Sequence, residues 1–273
     1  MTMGTEDNRI FLQRFFLDQQ DCSVIRQDPY KILLRAHDQG DDRQDLFIKI
    51  YRYPHLFRSR VVDWKLVGGS HEYRMCLKLN SLGIATPEPM GFAIDRNVIG
   101  YPRQSLYASK WLNNSRTLDD MARNMRDQRL ISKGSWQAIL YELGRFVGSL
   151  HHQLINPKDL NMKNLLVRWQ VEQPARFFLV DYERITFLKH YDLSRFMKGL
   201  SQLGAGLIPG REDAVEWMCR GYGSIISGVD KKELVERVTR ASQDKIRQWR
   251  QEIDGMFNNI GEQMHRRKDH EVK

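Results

Sequence analysis

Apolar positions follow a period of two in the first part of this chain and a period near 3.6 in the second. Alternating or continuous apolar runs over Cys22–Arg26, Tyr30–Ala36 and Asp45–Tyr51 predict three strands, the last two separated by the turn Gln39-Gly40-Asp41-Asp42. Residues 8–20, with Ile10, Phe11, Phe15, Phe16 and Leu17, predict a short helix or a helix and a strand. Helical spacing begins at His71 and runs to Leu82, placing Glu72, Met75, Cys76 and Leu79 on one face. Ser70 is a candidate cap for that helix, and Gly83 suits its C-terminal stop. Thr86-Pro87-Glu88-Pro89 breaks the chain, and Gly91–Asp95 and Ser105–Trp111 predict two further strands joined through Gly100-Tyr101-Pro102. Thr117–Met121 reads as a capped short helix. Trp136–Leu154 is then strongly amphipathic, with Ile139, Leu140, Leu143, Phe146, Val147, Leu150 and Leu154 as its buried stripe. His151 and His152 near its end suit the helix dipole and, without matched ligands, do not make a metal site. Tyr191–Leu200, Arg211–Ile226 and the highly charged Asp230–Met256 predict more helices, with a frayed tail from His265. The chain is thus α+β, strand-rich over residues 1–112 and helical over residues 113–273.

Between the long helix and the later helices lies a stretch whose polar residues carry chemistry. Pro157-Lys158-Asp159-Leu160-Asn161-Met162-Lys163-Asn164 places an Asp five residues before an Asn that enters an apolar segment. Phe177-Phe178-Leu179-Val180 then reads as a buried strand ending on Asp181. Phosphoryl transfer from a nucleotide needs such a set: a carboxylate to orient the attacking hydroxyl, and an amide oxygen and second carboxylate to hold Mg²⁺. Asp159, Asn164 and Asp181 fit the Asp-Leu-x-x-x-Asn loop and the metal-binding Asp of kinases. A turn capped by Asn164 and a strand closed by Asp181 would give the same short patterns. Upstream, Lys49 stands inside Leu46-Phe47-Ile48-Lys49-Ile50-Tyr51, close to the kinase Val-Ala-Ile-Lys strand. It either points to solvent or reaches the α- and β-phosphates. Glu72 either serves the helix dipole from the first turn or pairs with Lys49.

Composition bounds the partners. With 273 residues, 41% of them hydrophobic, the chain can bury a substantial core, enough for one large domain or two lobes. No apolar run approaches a membrane span, and the polar start with Glu6 and Asp7 is unlike a secretory signal, so a cytoplasmic location is expected. Cys22, Cys76 and Cys219 are too far apart for a zinc or disulfide framework, and Cys76 reads as core. The net charge of +9 favours anionic partners. Arg58, Arg60 and Lys65, interleaved with Leu56, Phe57 and Trp64, make residues 52–65 a candidate peripheral contact with an anionic inner-membrane face, or a solvated helix face.

With those residues in place, the chain resembles the lipopolysaccharide kinase family, the Kdo and heptose kinases of the inner core and their relatives. The resemblance is carried by Phe47–Arg52, by Ser70–Tyr73 through Leu82-Gly83-Ile84-Ala85-Thr86-Pro87-Glu88-Pro89-Met90-Gly91, by the Asp159–Val167 loop, by Leu179-Val180-Asp181, and by Asp192-Leu193-Ser194-Arg195-Phe196. It implies a bilobal protein-kinase-like fold, with a small β-rich N-lobe over 1–112 and a larger helical C-lobe over 113–273. It also implies ATP with Mg²⁺ and a sugar hydroxyl of the lipopolysaccharide core as acceptor, with no nucleic-acid partner. Lys49 would orient the phosphates, held by Glu72. Asp159 would act as base, Asn164 and Asp181 would bind the metal, and Lys158 beside the base would steady the transferring group or simply face solvent.

Three departures accompany the resemblance. Pro157 stands where the family loop has His. Gln27-Asp28-Pro29-Tyr30 replaces a Gly-rich loop and offers fewer free backbone N–H groups to phosphates. Asp181-Tyr182-Glu183 replaces Asp-Phe-Gly but keeps the metal-binding group. The first two favour a catalytically silent kinase-like binding module as the rival reading; a kinase-fold phosphotransferase for a small molecule or a protein is the other.

Overall fold

The computed structural model describes residues 22–37, 44–53, 68–96, 98, 102–126, 131–170, 173–208 and 213–271. The expected elements over 8–20, the turn 39–42, the linker residues 100–101 and the basic segment 54–67 lie outside these residues. The described chain forms two compact units. A strand-rich unit takes the chain up to Arg116 together with Asn164–Arg168 and Arg176–Ile185, and a helical unit takes the rest.

The strand-rich unit is built on a five-stranded antiparallel sheet of order β1-β2-β3-β5-β4. Its strands are β1 Cys22–Gln27, β2 Lys31–Ala36, β3 Leu46–Arg52, β4 Pro89–Arg96 and β5 Pro102–Lys110. One face packs Ile32, Leu34, Ala36, Leu46, Ile48, Ile50, Leu106 and Ala108 into a core. Because successive side chains alternate faces, Lys49 and Tyr51 must leave on the other side. They are nonetheless buried, since β3 runs between two strands and helix α1 (Gly68–Ser81) packs against the sheet.

Helix α1 already includes Gly68, Gly69 and Ser70, ahead of the expected His71. Ser70 lies inside it rather than capping it, and the N–H groups of Gly68 and Gly69 donate to the Tyr53 hydroxyl and Ser105 Oγ, at 3.0 and 3.1 Å. Its end is as expected. Gly83 adopts φ +73°, the Gly83 and Ile84 N–H groups return to the Asn80 and Leu79 carbonyls, and no side chain would sit there without strain. The Thr-Pro-Glu-Pro segment is then pinned. Thr86 Oγ1 donates to Asn80 Oδ1 at 2.6 Å, Cys76 Sγ lies 3.3 Å from the Pro87 carbonyl, and the Ala85 carbonyl accepts the Leu179 N–H at 3.0 Å. After the short strands β6 (Ser115–Thr117) and β7 (Ile155–Pro157), that last bond brings the strand pair β8 (Leu165–Arg168) and β9 (Arg176–Leu179) to the exit of α1.

In the helical unit, α2 is Leu118–Arg126 and α3 is Lys133–His152, the latter capped by Ser132, whose Oγ accepts the Ser135 N–H at 3.1 Å. The expected apolar stripe of α3 is buried at Ile139, Leu140, Leu143, Val147 and Leu150. Helix α4, Leu193–Leu207, starts where Asp192 caps it, accepting from the Ser194 and Arg195 N–H groups at 3.0 and 3.3 Å. Helix α5 is Ala214–Ile225 and packs closely on α3. Helix α6, Lys231–Glu271, runs 41 residues and so extends past His265, where fraying was expected. Pairs at helical spacing, Arg237–Glu233, Arg247–Asp244 and Gln248–Glu252, support its charged surface.

His151 is not a surface residue bound to the helix dipole. It is buried, its ring stacks on Phe196 at 3.8 Å, and its Nδ1 lies 3.0 Å from the Tyr222 hydroxyl, which meets Tyr191 at 3.1 Å. Burial holds its pKa down at about 3. An unfolded His titrates at about 6.5, so below that pH the unfolded chain binds a proton that the folded chain refuses, and stability falls as pH drops toward 3. The loss approaches about 1.4 kcal/mol per pH unit. Thermal melts at pH 7 and pH 5 are expected to show a larger drop in Tm for the parent than for His151→Gln; equal drops would leave His151 out of the acid response.

Candidate active site

Four charged side chains meet on the face of β3 opposite the apolar core, beside α1. Lys49 Nζ lies 2.7 Å from Glu72 Oε1, 3.0 Å from Asp181 Oδ1 and 3.0 Å from Glu183 Oε1. The positions follow from local structure. Period two turns Lys49 to the α1 side of the sheet, and Glu72 lies one turn into α1 facing it. Asp181 follows β9 in a left-handed conformation, φ +67°. Asp tolerates that conformation better than most residues, though at a cost of about 1 kcal/mol or more. The Tyr182 N–H donates to Glu72 Oε1 at 3.3 Å, so the turn after Asp181 is tied to the same carboxylate.

One ammonium faces three carboxylates. Burial by itself depresses the Lys49 pKa, but Glu72, Asp181 and Glu183 together outweigh it and hold the lysine charged. Burial pushes Glu72 upward, Lys49 opposes this only in part, and the like charges of Asp181 and Glu183 add to the rise. Glu183 goes the other way. Burial would raise it, yet Lys49 and Lys31 bring it down to about 2. The Lys49 and Glu72 side chains are 6% and 2% exposed, whereas Asp181 keeps 36% of its side chain open. A hard divalent cation takes carboxylate and amide oxygens, and the carboxylate oxygens of Glu72, Asp181 and Glu183 lie within 4.8 Å of one another. Glu72 is committed to Lys49 and the Tyr182 amide, and Glu183 to Lys31, Lys49 and Tyr51, so Asp181, the most exposed of the three, is the member best placed to take a cation. Asn164, which closes the short 3₁₀ turn Met162–Asn164, accepts the Val180 N–H on its carbonyl at 3.0 Å and so stands beside the chain entering Asp181.

Asp159 and Lys158 belong to the helical unit, in the turn after β7 (Ile155–Pro157). The turn is held by Asn161. Its Nδ2 donates to Asp159 Oδ1 at 3.0 Å, its own N–H donates to the Asp159 carbonyl at 3.0 Å, and its Oδ1 accepts the Lys163 N–H at 3.0 Å. Lys158 is exposed. Pro157 is buried in β7, a strand anchored by Thr186 Oγ1 on the Asn156 carbonyl at 3.2 Å and entered through Leu154 at φ +60°.

Sequence reasoning missed four residues here. Tyr51 shares the face of Lys49 two residues on, a relation that period two alone would have shown, and its hydroxyl donates to Glu183 Oε1 at 2.8 Å. Asn161 left a signal in its Asx-turn spacing to Lys163. Lys31 and Glu183, 2.5 Å apart, come together only through tertiary structure.

Residues 23–196 match the Lipopolysaccharide kinase (Kdo/WaaP) family over well more than half of the chain. The chain belongs to that family. A 3-deoxy-D-manno-octulosonic acid kinase from Actinobacillus succinogenes is 24% identical over 162 residues, covering 55% of this chain and 61% of the relative. One from Vibrio parahaemolyticus is 21% identical over 168 residues, covering 62% and 61%. The chain spans roughly half the length of the curated relatives it matches, from 43% to 61%. A solved structure of WaaP in complex with acyl carrier protein superposes with a TM-score of 0.62 at 16% identity, covering 89% of this chain and 98% of that one. The BubR1 kinase domain superposes with a TM-score of 0.52 at 14% identity, covering 87% and 84%. The fold is therefore α+β and protein-kinase-like. Among the described residues, no helix is long and apolar enough to cross a membrane.

Proposed function

We propose that this chain is an ATP-dependent phosphotransferase whose acceptor is a sugar hydroxyl of the lipopolysaccharide inner core, Kdo or heptose. The observation that carries the reading is the Lys49–Glu72–Asp181 cluster at 2.7 and 3.0 Å in a chain of this family. In it Lys49, held by Glu72, orients the nucleotide phosphates. Asp181 and Asn164 hold Mg²⁺, which would neutralise charge on the transferring phosphoryl group. Asp159, steadied by Asn161, orients the acceptor hydroxyl and takes its proton, and Lys158 sits beside it as a further cation. The setting is the cytoplasmic side of the inner membrane, with the basic segment 52–65 as the peripheral contact.

Transfer of radiolabelled phosphate from ATP to extracted core glycan tests this. Lys49→Ala is expected to lower the rate by about tenfold or more, because a phosphate-orienting cation is lost. Unchanged turnover would make Lys49 a structural ion-pair residue. A silent binding module is the second reading, favoured by the β1–β2 turn: Asp28 Oδ1 already accepts the Tyr30 and Lys31 N–H groups at 2.9 and 2.8 Å. ATP hydrolysis that requires Mg²⁺ in the parent would remove that reading.

A further inference from the structure

We propose that Lys31 is a second phosphate-contacting cation of the nucleotide site, and that the Glu183 carboxylate stands in for a phosphate between Lys31 and Lys49 until nucleotide arrives. This rests on the kinase reading above.

The β1–β2 turn cannot supply the usual backbone cradle. Its Asp28 carboxylate takes the N–H groups of Tyr30 and Lys31, and the Asp28 N–H is spent on the Lys31 carbonyl at 2.8 Å. A fixed negative charge thus stands where amides would meet phosphates, and neutralisation has to come from side chains. Lys31 opens β2 directly opposite Tyr51, with Leu33 opposite Lys49, so Lys31 shares the sheet face of both Tyr51 and Lys49. Its ammonium lies 2.5 Å from Glu183 Oε1 and 5.4 Å from the centre of the Tyr51 ring. The same Glu183 oxygen lies 3.0 Å from Lys49 Nζ and accepts from the Tyr51 hydroxyl at 2.8 Å. Three donors therefore converge on one anionic oxygen, an arrangement that a phosphate oxygen satisfies equally well. Any phosphate oxygen that replaces Glu183 at Lys49 enters the reach of Lys31. Lys31 and Glu183 are 32% and 30% exposed, so both can exchange partners without opening the core.

The competing account is that Lys31 only neutralises Glu183. Calorimetric titration of the full chain with adenosine, ADP and ATP, each with Mg²⁺, separates the two, using the parent, Lys31→Ala, Glu183→Gln and the double variant. Lys31→Ala is expected to weaken ADP and ATP about tenfold, the worth of one charge-assisted hydrogen bond, and to leave adenosine within about twofold. Glu183→Gln is expected to tighten ATP, because a competing anion is removed, and adding Lys31→Ala to it still weakens ATP. Loss of the Lys31 effect in the Glu183→Gln background, or an equal loss for adenosine, overturns the inference while leaving the kinase reading intact. Failure of the parent to bind any of the three overturns both.

Discussion

Asp181→Asn is expected to abolish Mg²⁺-dependent nucleotide binding, whereas Asp159→Asn is expected to leave binding nearly unchanged while transfer falls by about 10²–10⁴-fold. The two carboxylates have different surroundings. Asp181 touches Lys49, is partly open, and stands next to Asn164 through the Val180 N–H. In the proposed reaction it meets the metal in the ground state, so its loss acts on binding. Asp159 is held in a loop by Asn161 and acts on the nucleophile only during the chemical step, so its loss acts on kcat. Asn is the right replacement at 181 because it also tolerates a positive φ; Ala would add backbone strain to the loss of charge. Calorimetric ATP titration with and without Mg²⁺, beside transfer rates, gives the comparison. If both variants bind and transfer like the parent, the loop and the strand end are not an active site.

The second large effect is structural. Gly144→Val is expected to destabilise the helical unit by about 3 kcal/mol or more, at the upper end for overpacking, and to lower Tm by about 10 °C. A side chain at Gly144 on α3 would begin 1.9 Å from the Met218 carbonyl oxygen on α5, and one at Gly221 on α5 would begin 1.9 Å from the Tyr141 carbonyl oxygen on α3. Each helix thus presents a glycine to the other's backbone, and neither contact can relax by a rotamer change. The helices would have to move apart, opening the core around Leu143, Val147 and Tyr222. Thermal unfolding of Gly144→Val measures this, with Gly134→Ala as the control, since a side chain at Gly134 meets nothing within 4 Å. An unchanged melt would mean that α3 and α5 are not in such close contact.

Much of the fold was legible because its signals are local. The stripe of α3 and the stop at Gly83 follow from spacing and turn chemistry within a few residues. The anchoring of α1 was not legible, because the Gly68 and Gly69 amides bond to Tyr53 and Ser105, and Ser105 is far along the chain. His151 was misread for a similar reason. Its position at a helix end suggests exposure, and only the packing of Phe196 and Tyr222 decides that it is buried.

The residue types and their order along the chain offered Lys49, Glu72, Asp159, Asn164 and Asp181 as a phosphoryl-transfer set, and the fold brings Lys49, Glu72 and Asp181 of that set together. Whether Lys49 points to solvent or inward was left open by the sequence and decided by the packing of α1 on the sheet. Sequence could not show that Asn164–Arg168 and Arg176–Ile185 join the strand-rich unit, which they do through bonds such as Leu179 to Ala85. Nor could it show that Glu183 would be shared by Lys31, Lys49 and Tyr51. Those residues lie more than 130 positions from Glu183, and no local pattern encodes which distant charge will neutralise which; that is decided when β-sheet, helix and the turn after β9 are packed together.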